Sequence, residues 1–156
     1  MKYEIKLDLR GFKITVDNIE DSIKQGVETG LKVSANEIKK QEQRFIEQRT
    51  GDGEYVPTGY LKHSVWIMPL EWTPNGASIT VTNVAKYAIY TELGTGEEAS
   101  NGQGRQGGWV YPLGNGEYRF TKGMPPKYFV RDTRDIYDEK VISDIIEDNI
   151  KRLLHI

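Results

Sequence analysis

The feature that most constrains the fold is a stretch of about 30 residues, 18–48, in which apolar residues recur at helical spacing. Asp17 and Glu20 resemble a capping box at its start, and Thr50-Gly51 supplies a stop signal. At 1.5 Å per residue, such a helix is about 45 Å long. Gly26 and Gly30 lie in its first half, where one of them marks a break or a point of close packing. The residues that share the apolar face are Ile19, Ile23, Val27, Leu31, Ile38 and Phe45.

Alternating apolar and polar residues predict a half-buried strand before this helix. Tyr3, Ile5, Leu7 and Leu9 lie on one side of it. After Gly11 the alternation resumes in shifted phase, which predicts either a tight turn or a bulge.

The middle of the chain favours antiparallel hairpins. A β-branched and aromatic segment, 64–72, is followed by the turn Pro74-Asn75-Gly76 and by an alternating segment, 77–83. A second hairpin is expected between Trp109 and Phe120. Between them, the apolar stretch 87–93 is interpreted as a strand that ends at Gly94-Thr95-Gly96.

The second half contains a polar loop and a helix. Residues 96–108 are rich in Gly and polar side chains, so we expect a flexible loop. Pro125-Pro126 prevents a helix before Tyr128, and a helix is predicted from about Asp132 to Leu154. The sum is one α+β domain over residues 1–156. We expect an antiparallel sheet of about four to six strands, packed with one long helix in the N-terminal half and one C-terminal helix.

Composition narrows the function classes. The 21 Lys and Arg residues against 23 Asp and Glu residues give a net charge of −2, and no stretch is basic enough for direct nucleic-acid binding. The absence of cysteine excludes disulfides and thiolate zinc sites. The N-terminus lacks an apolar signal core, and no apolar run approaches the length of a membrane span.

No residue pattern predicts catalysis, a metal site or a cofactor site. The glycines of 102–107 fit a dinucleotide motif in spacing but lack the flanking strand and helix, so a plain loop is favoured. His63 is expected at the surface and His155 in a final helical turn. Glu92 lies within an apolar stretch, where it is either an outward strand residue or a salt-bridge or N–H acceptor at an interface. A catalytic role for Glu92 is disfavoured, since no second carboxylate or nucleophile accompanies it.

Three short motifs carry a family resemblance. They are Thr58-Gly59-Tyr60-Leu61-Lys62-His63-Ser64-Val65, then Tyr87-Ala88-Ile89-Tyr90-Thr91-Glu92-Leu93-Gly94-Thr95, then Pro125-Pro126-Lys127-Tyr128-Phe129-Val130-Arg131. Their order and spacing resemble the head–tail joining, or tail-completion, proteins of tailed bacteriophages and prophages, the gene-product-ten-like minor structural proteins. Tyr128-Phe129 departs from the Pro-Phe of that pattern.

The motif residues also have expected roles in the fold. Thr58-Gly59 suits a turn from helix to sheet, with Leu61 as a buried anchor and Ser64 opening the strand. Phe129 is expected in the core between the sheet and the last helix. The candidate interface or fold-motif residues are Thr58, Gly59, Leu61, Ser64, Tyr87, Tyr90, Glu92, Gly94, Thr95, Arg105, Trp109 and Phe129.

The resemblance implies a virion structural protein that forms a homo-oligomeric ring at the head–tail junction and is made in the cytoplasm of a bacterial host. Its partners would be other copies of itself and other neck or tail proteins, with DNA passing through without specific binding and with no membrane contact. Exposed hairpin edges suit such assembly. The alternatives are a monomeric adaptor or regulatory module and a small phage-encoded hydrolase that uses Glu92.

Overall fold

The computed structural model describes residues 2–8, 17–50, 59–74 and 76–156. The chain is an α+β protein, as the sequence predicted. Its helices are α1 (Asp17–Arg49), α2 (Tyr60–His63), α3 (Ala88–Leu93), α4 (Phe129–Ile136) and α5 (Glu139–Leu154). Its strands are β1 (Lys2–Asp8), β2 (Val65–Ile67), β3 (Glu71–Thr73), β4 (Gly76–Asn83), β5 (Thr95–Gly96), β6 (Trp109–Pro112), β7 (Tyr118–Thr121) and β8 (Gly123–Met124).

Strand β4 is the centre of the main antiparallel sheet. It pairs with β1 on one side and with both β2 and β3 on the other. Val81 lies opposite Ile67, and both are on the face that carries the buried residues Val65 and Ile79. This face packs against α1, which places the hydrophobic core between the sheet and the long helix.

Helix α1 also packs closely against α5. A methyl group built on Gly30 would lie 2.7 Å from the Cα atom of Ile146, and one built on Gly26 would lie 2.8 Å from the Cα atom of Ile150. Both glycines therefore mark close packing, and α1 continues unbroken through them. Ile146 and Ile150 are one helical turn apart, so they face the two glycines in register.

Two predicted elements differ from the observed ones. The last helix is divided into α4 and α5, because the Asp138 side chain accepts a hydrogen bond of 2.9 Å from the backbone N–H of Val141 and caps a new helix. The stretch 87–93, interpreted as a strand, is helix α3. Its Ile and Tyr residues favour strands in isolation, but tertiary contacts decide the conformation of so short a segment.

Several other sequence predictions are confirmed. The long helix, the hairpin that joins β2 and β3 to β4, and the hairpin β6–β7 are all present, and no helix begins between Pro125 and Tyr128. The shift at Gly11, the Asp17 cap, the stop residue Gly51, Thr58 and Asn75 lie outside the described positions or side chains.

The glycine-rich segment after β5 folds back on the body of the protein. Glu97 accepts a hydrogen bond of 3.1 Å from the Gly107 backbone N–H and pairs with Lys122 at 3.3 Å. The Ser100 backbone N–H donates to the Leu93 carbonyl at 2.8 Å. Hydrogen bonds within the chain thus order this loop in the absence of buried apolar side chains, and its mobility in solution stays a prediction.

Candidate functional site: a junction of sequence motifs

The second and third motifs meet where α3 ends and α4 begins. The last carbonyl groups of a helix have no partner within it. In α3, the carbonyl of Thr91 accepts from the Lys127 backbone N–H at 3.0 Å, and that of Glu92 accepts from the Tyr128 backbone N–H at 3.2 Å. The returning chain therefore completes the end of α3, which explains why residues 88–93 are helical.

The side chain of Glu92 in turn completes the start of α4. Its Oε2 atom accepts from the Val130 backbone N–H and its Oε1 atom from the Arg131 backbone N–H, each at 2.9 Å. The carboxylate is 2% exposed and lies at the positive end of the helix dipole. Glu92 is thus a buried N–H acceptor within the chain, and of the alternatives that the sequence left open, the outward strand residue was wrong. Both of its oxygens have a structural role.

Arg49, the last residue of α1, holds the same segment from the other side. Its Nη1 atom donates to the Lys127 carbonyl at 2.7 Å, to the Tyr128 carbonyl at 3.1 Å and to Asp132 Oδ2 at 2.8 Å. Burial alone would raise the pKa of Asp132, but hydrogen bonds from Arg131 and Arg49 hold that pKa below its usual value. We call Arg49, Thr91, Glu92 and residues 127–132 the motif junction.

Tyr128 adopts a left-handed backbone conformation at the motif junction. Its φ of 47° is unusual for a residue with a side chain. The Arg131 guanidinium lies 3.5 Å from the centroid of the Tyr128 ring. Next to it, Phe129 is fully buried, as the sequence predicted. The conformation of Tyr128 therefore turns the chain so that Phe129 enters the core at the first position of α4.

A second buried glutamate lies near the motif junction. Glu42 follows Leu31, Ala35 and Ile38 along the core face of α1 and is 0% exposed. Neither carboxylate oxygen has a hydrogen-bond partner among the described residues. Burial, with a further contribution from the negative charge of Glu92, raises the pKa of Glu42 to about 7.

The first motif joins the end of the main sheet. Gly59 precedes α2 in the left-handed region with a φ of 75°, and Leu61 is buried as expected. The Asn83 side chain donates to the Leu61 carbonyl at 2.9 Å and accepts from the Ala85 backbone N–H at 3.1 Å. Ser64 is buried directly before β2, and its carbonyl accepts from the Val84 backbone N–H at 2.9 Å.

Gly94-Thr95-Gly96 continues from α3 into the small sheet β5–β8. Thr95 Oγ1 accepts from the Met124 backbone N–H at 3.0 Å. Gly96 has a φ of 62°, and a methyl group there would collide with the Lys122 carbonyl oxygen. Glycine is required at this position both for its backbone conformation and for the close approach of β8.

The two strands of hairpin β6–β7 pack mainly against each other. Cross-strand pairing places Val110 opposite Phe120 and Pro112 opposite Tyr118, so these four side chains share one face by strand alternation. Val110 is 59% exposed, Tyr118 73% and Phe120 58%. We call these four residues the hairpin face. It is an apolar surface that no element of the described residues covers.

Arg105 and Trp109 meet at the base of the hairpin. The Arg105 guanidinium lies 5.9 Å from the Trp109 ring centroid, and Trp109 itself is half-buried. This contact is a cation–π interaction at a partly exposed site.

Exposed tyrosines from the first and second motifs form another apolar surface. The ring centroids of Tyr60 and Tyr87 are 6.1 Å apart. Tyr90 lies three residues after Tyr87 in sequence and is also exposed. The two motifs therefore bring aromatic side chains together at the surface.

Sequence reasoning missed two residues of this region, Arg49 and Glu42. The partners of Arg49 lie 78 to 83 residues away in sequence, so no local pattern predicts them. Glu42 had a signal, since it occupies a core position four residues after Ile38 and four before Ile46. A carboxylate at such a position predicts either a buried partner or a shifted pKa.

Within residues 2–8, 17–50, 59–74 and 76–156, no three His, Cys, Asp or Glu side chains cluster as a metal site would require. In the same part of the chain, no helix is long and apolar enough to cross a membrane. Comparisons with protein-family models, with curated proteins and with solved structures found no match.

Proposed function

We propose that this chain is a structural subunit of a tailed-bacteriophage or prophage particle that assembles into a ring at the head–tail junction. The observation that carries the proposal is the hairpin face, which presents Val110, Tyr118 and Phe120 to solvent on a two-stranded element. Contiguous exposed apolar side chains are typical of protein–protein contact sites. A two-stranded hairpin is also marginally stable alone, so contact with a partner would stabilise it.

The second support is the way the three motifs meet. Glu92 of the second motif caps the helix that the third motif begins, and Asn83 connects Leu61 of the first motif to Ala85, two residues before the second motif. The residues that carry the family resemblance therefore have a shared structural reason for their order and spacing. The proposal therefore treats the three motifs as one structural unit.

The partner that suits the hairpin face is a second copy of the chain. A contact between the hairpin face of one copy and a different surface of the next is heterologous, and such contacts close into rings when the rotation between copies allows it. The tyrosine surface formed by Tyr60, Tyr87 and Tyr90 is a second exposed apolar region on the same chain. Neighbouring neck or tail proteins would meet the remaining exposed surfaces, and the ring would surround DNA without binding a sequence.

The test is the oligomeric state by native mass spectrometry and electron microscopy, for the chain alone and with purified tail and connector components. The double variant V110S/F120S is expected to keep its circular-dichroism spectrum and to lose ring formation. The variant V33S removes an exposed apolar side chain from α1, away from the hairpin face, and should assemble like the wild type.

Two results would overturn the proposal. One is a wild-type chain that stays monomeric in the presence of every virion component. The alternative of a monomeric adaptor would then require that one copy of the chain binds one partner protein. The other is unchanged assembly by V110S/F120S.

A further inference from the structure

The buried carboxyl group of Glu42 has no evident purpose in packing alone. A polar group in the core is costly unless it is hydrogen-bonded, and an ionised carboxylate is far more costly. The Asn83 side chain donates one N–H to Leu61, accepts from Ala85 and also acts electrostatically on Glu42, but neither oxygen of Glu42 has a hydrogen bond of ordinary geometry among the described residues. An apolar residue would stabilise this position more simply, so the carboxyl group calls for another explanation.

The position of Glu42 relates it to the motif junction. Glu42 and Arg49 are seven residues apart on α1, which is about two turns, so both lie on the same side of the helix. Helix α4 packs against α1, and Arg49 contacts the first residues of α4 directly. The charge of Glu92, which caps α4, also acts on Glu42. Two buried carboxyl groups therefore lie along the contact between α1 and the start of α4.

We propose that Glu42 and Glu92 form a proton-dependent latch on helix α4. When Glu42 is protonated, Glu92 caps α4 and residues 127–136 remain packed against α1, which we call the seated state. When Glu42 loses its proton, the buried charge and its repulsion from Glu92 favour release of this segment, because release brings water to Glu42. The latch is independent of any assumption about the particle in which the chain works.

The charges around Glu42 set the direction of the effect. Burial and Glu92 raise its pKa to about 7, while the Asn83 side chain on β4 opposes the shift. On the side of α4, the ion pair of Arg49 and Asp132 lies two turns further along α1. A released Glu42 would titrate near its ordinary value of 4.5. Between these values the seated state binds more protons than the released state, so raising the pH favours release.

The test is amide hydrogen exchange measured by NMR on the full chain between pH 5 and pH 8. The reporters are the backbone N–H groups of Val130 and Arg131, which donate to Glu92. After correction for the intrinsic pH dependence of exchange, their opening equilibrium should rise by up to about tenfold per pH unit from pH 5 to pH 7 and then level off. In the variant E42Q the same amides should change by less than about threefold over this range.

Controls separate the latch from general stability. The variant E47Q alters an exposed glutamate of the same helix and should keep the wild-type slope. The amide of Ile146 in α5 reports distant opening and should show a shallower slope than the two reporters. Equal slopes in wild type and E42Q, or a slope at Ile146 as steep as at Val130, would overturn the proposal.

A second measurement keeps the proposal testable if E42Q does not fold. Carbon-13 NMR of the wild-type side-chain carboxyl groups should show one glutamate that titrates near pH 7, together with a matching shift of the Val130 and Arg131 amides. A Glu42 midpoint close to 4.5 would refute the latch, as would a titration near pH 7 that leaves both amides unmoved.

Discussion

Replacement of Glu92 by Gln tests the central contact of the motif junction. The carboxylate accepts two backbone N–H bonds of 2.9 Å, from Val130 and Arg131, in a buried position. An amide side chain has one oxygen, so one buried N–H loses its acceptor at a cost of about 1–3 kcal/mol. Loss of the negative charge at the start of α4 adds about 0.5 kcal/mol. We expect E92Q to lower the free energy of unfolding by about 2–3 kcal/mol at pH 5.5.

The assay is urea unfolding followed by circular dichroism, with the wild type and E92Q measured side by side. The matched control is D138N, which alters the exposed carboxylate that caps α5 through one bond to Val141. Asn caps helices about as well as Asp, so D138N should stay within about 0.5 kcal/mol of the wild type.

The pH dependence of E92Q gives a further check. Glu92 contributes to the raised pKa of Glu42, so E92Q relieves a repulsion that exists only when Glu42 is ionised. The loss of stability should therefore be smaller at pH 8 than at pH 5.5. An E92Q protein within 0.5 kcal/mol of the wild type at pH 5.5, or as mildly affected as D138N, would refute the structural role of Glu92.

The remaining predictions concern Glu42 and the glycines. E42Q should raise the free energy of unfolding by up to about 3 kcal/mol at pH 8 and by much less at pH 5. The reason is that ionisation of the buried Glu42, whose pKa is raised to about 7, destabilises the native state progressively from pH 4.5 to pH 7. Urea unfolding at both pH values measures the difference. G30A should lower the melting temperature despite the better helix propensity of Ala, because overpacking against α5 costs about 1–3 kcal/mol. The control T29A, at the neighbouring exposed position, should not lower it. An equal effect of both variants would contradict the close packing of α1 and α5. G96A should be more destabilising than G102A in calorimetry, since both glycines have a positive φ but a methyl group has open space only at Gly102.

The elements that the sequence predicted are those that local patterns determine. Apolar residues at helical spacing marked α1, and the turn around Pro74 marked the hairpin onto β4. The stretch 87–93 was misassigned because its Ile and Tyr residues favour strands, whereas the partners of its last helical carbonyl groups, Lys127 and Tyr128, are distant in sequence. Asp138 did carry a local cap signal for a second C-terminal helix, but the prediction of one helix from about Asp132 to Leu154 did not use it.

The candidate site was harder to predict than the fold. The motif residues were identified individually, but the sequence did not reveal how they meet. Glu92 and the amides that it caps are 38 and 39 residues apart, and Arg49 finds its partners across an even longer loop of chain. Such pairs depend on the three-dimensional path of the backbone, so only the structure turns a list of motif residues into a junction.

The length of α1 has a mechanical consequence. Its 33 residues span about 50 Å, with α5 fastened near the beginning and the start of α4 fastened at the end, roughly 30 Å further along. A helix packed this closely at both ends moves as a rigid body, since close-packed interiors transmit strain. A displacement of the segment around Tyr128 would therefore tilt α1 and change the contact between Ile146 and Gly30. Two distant regions of the surface would then move together.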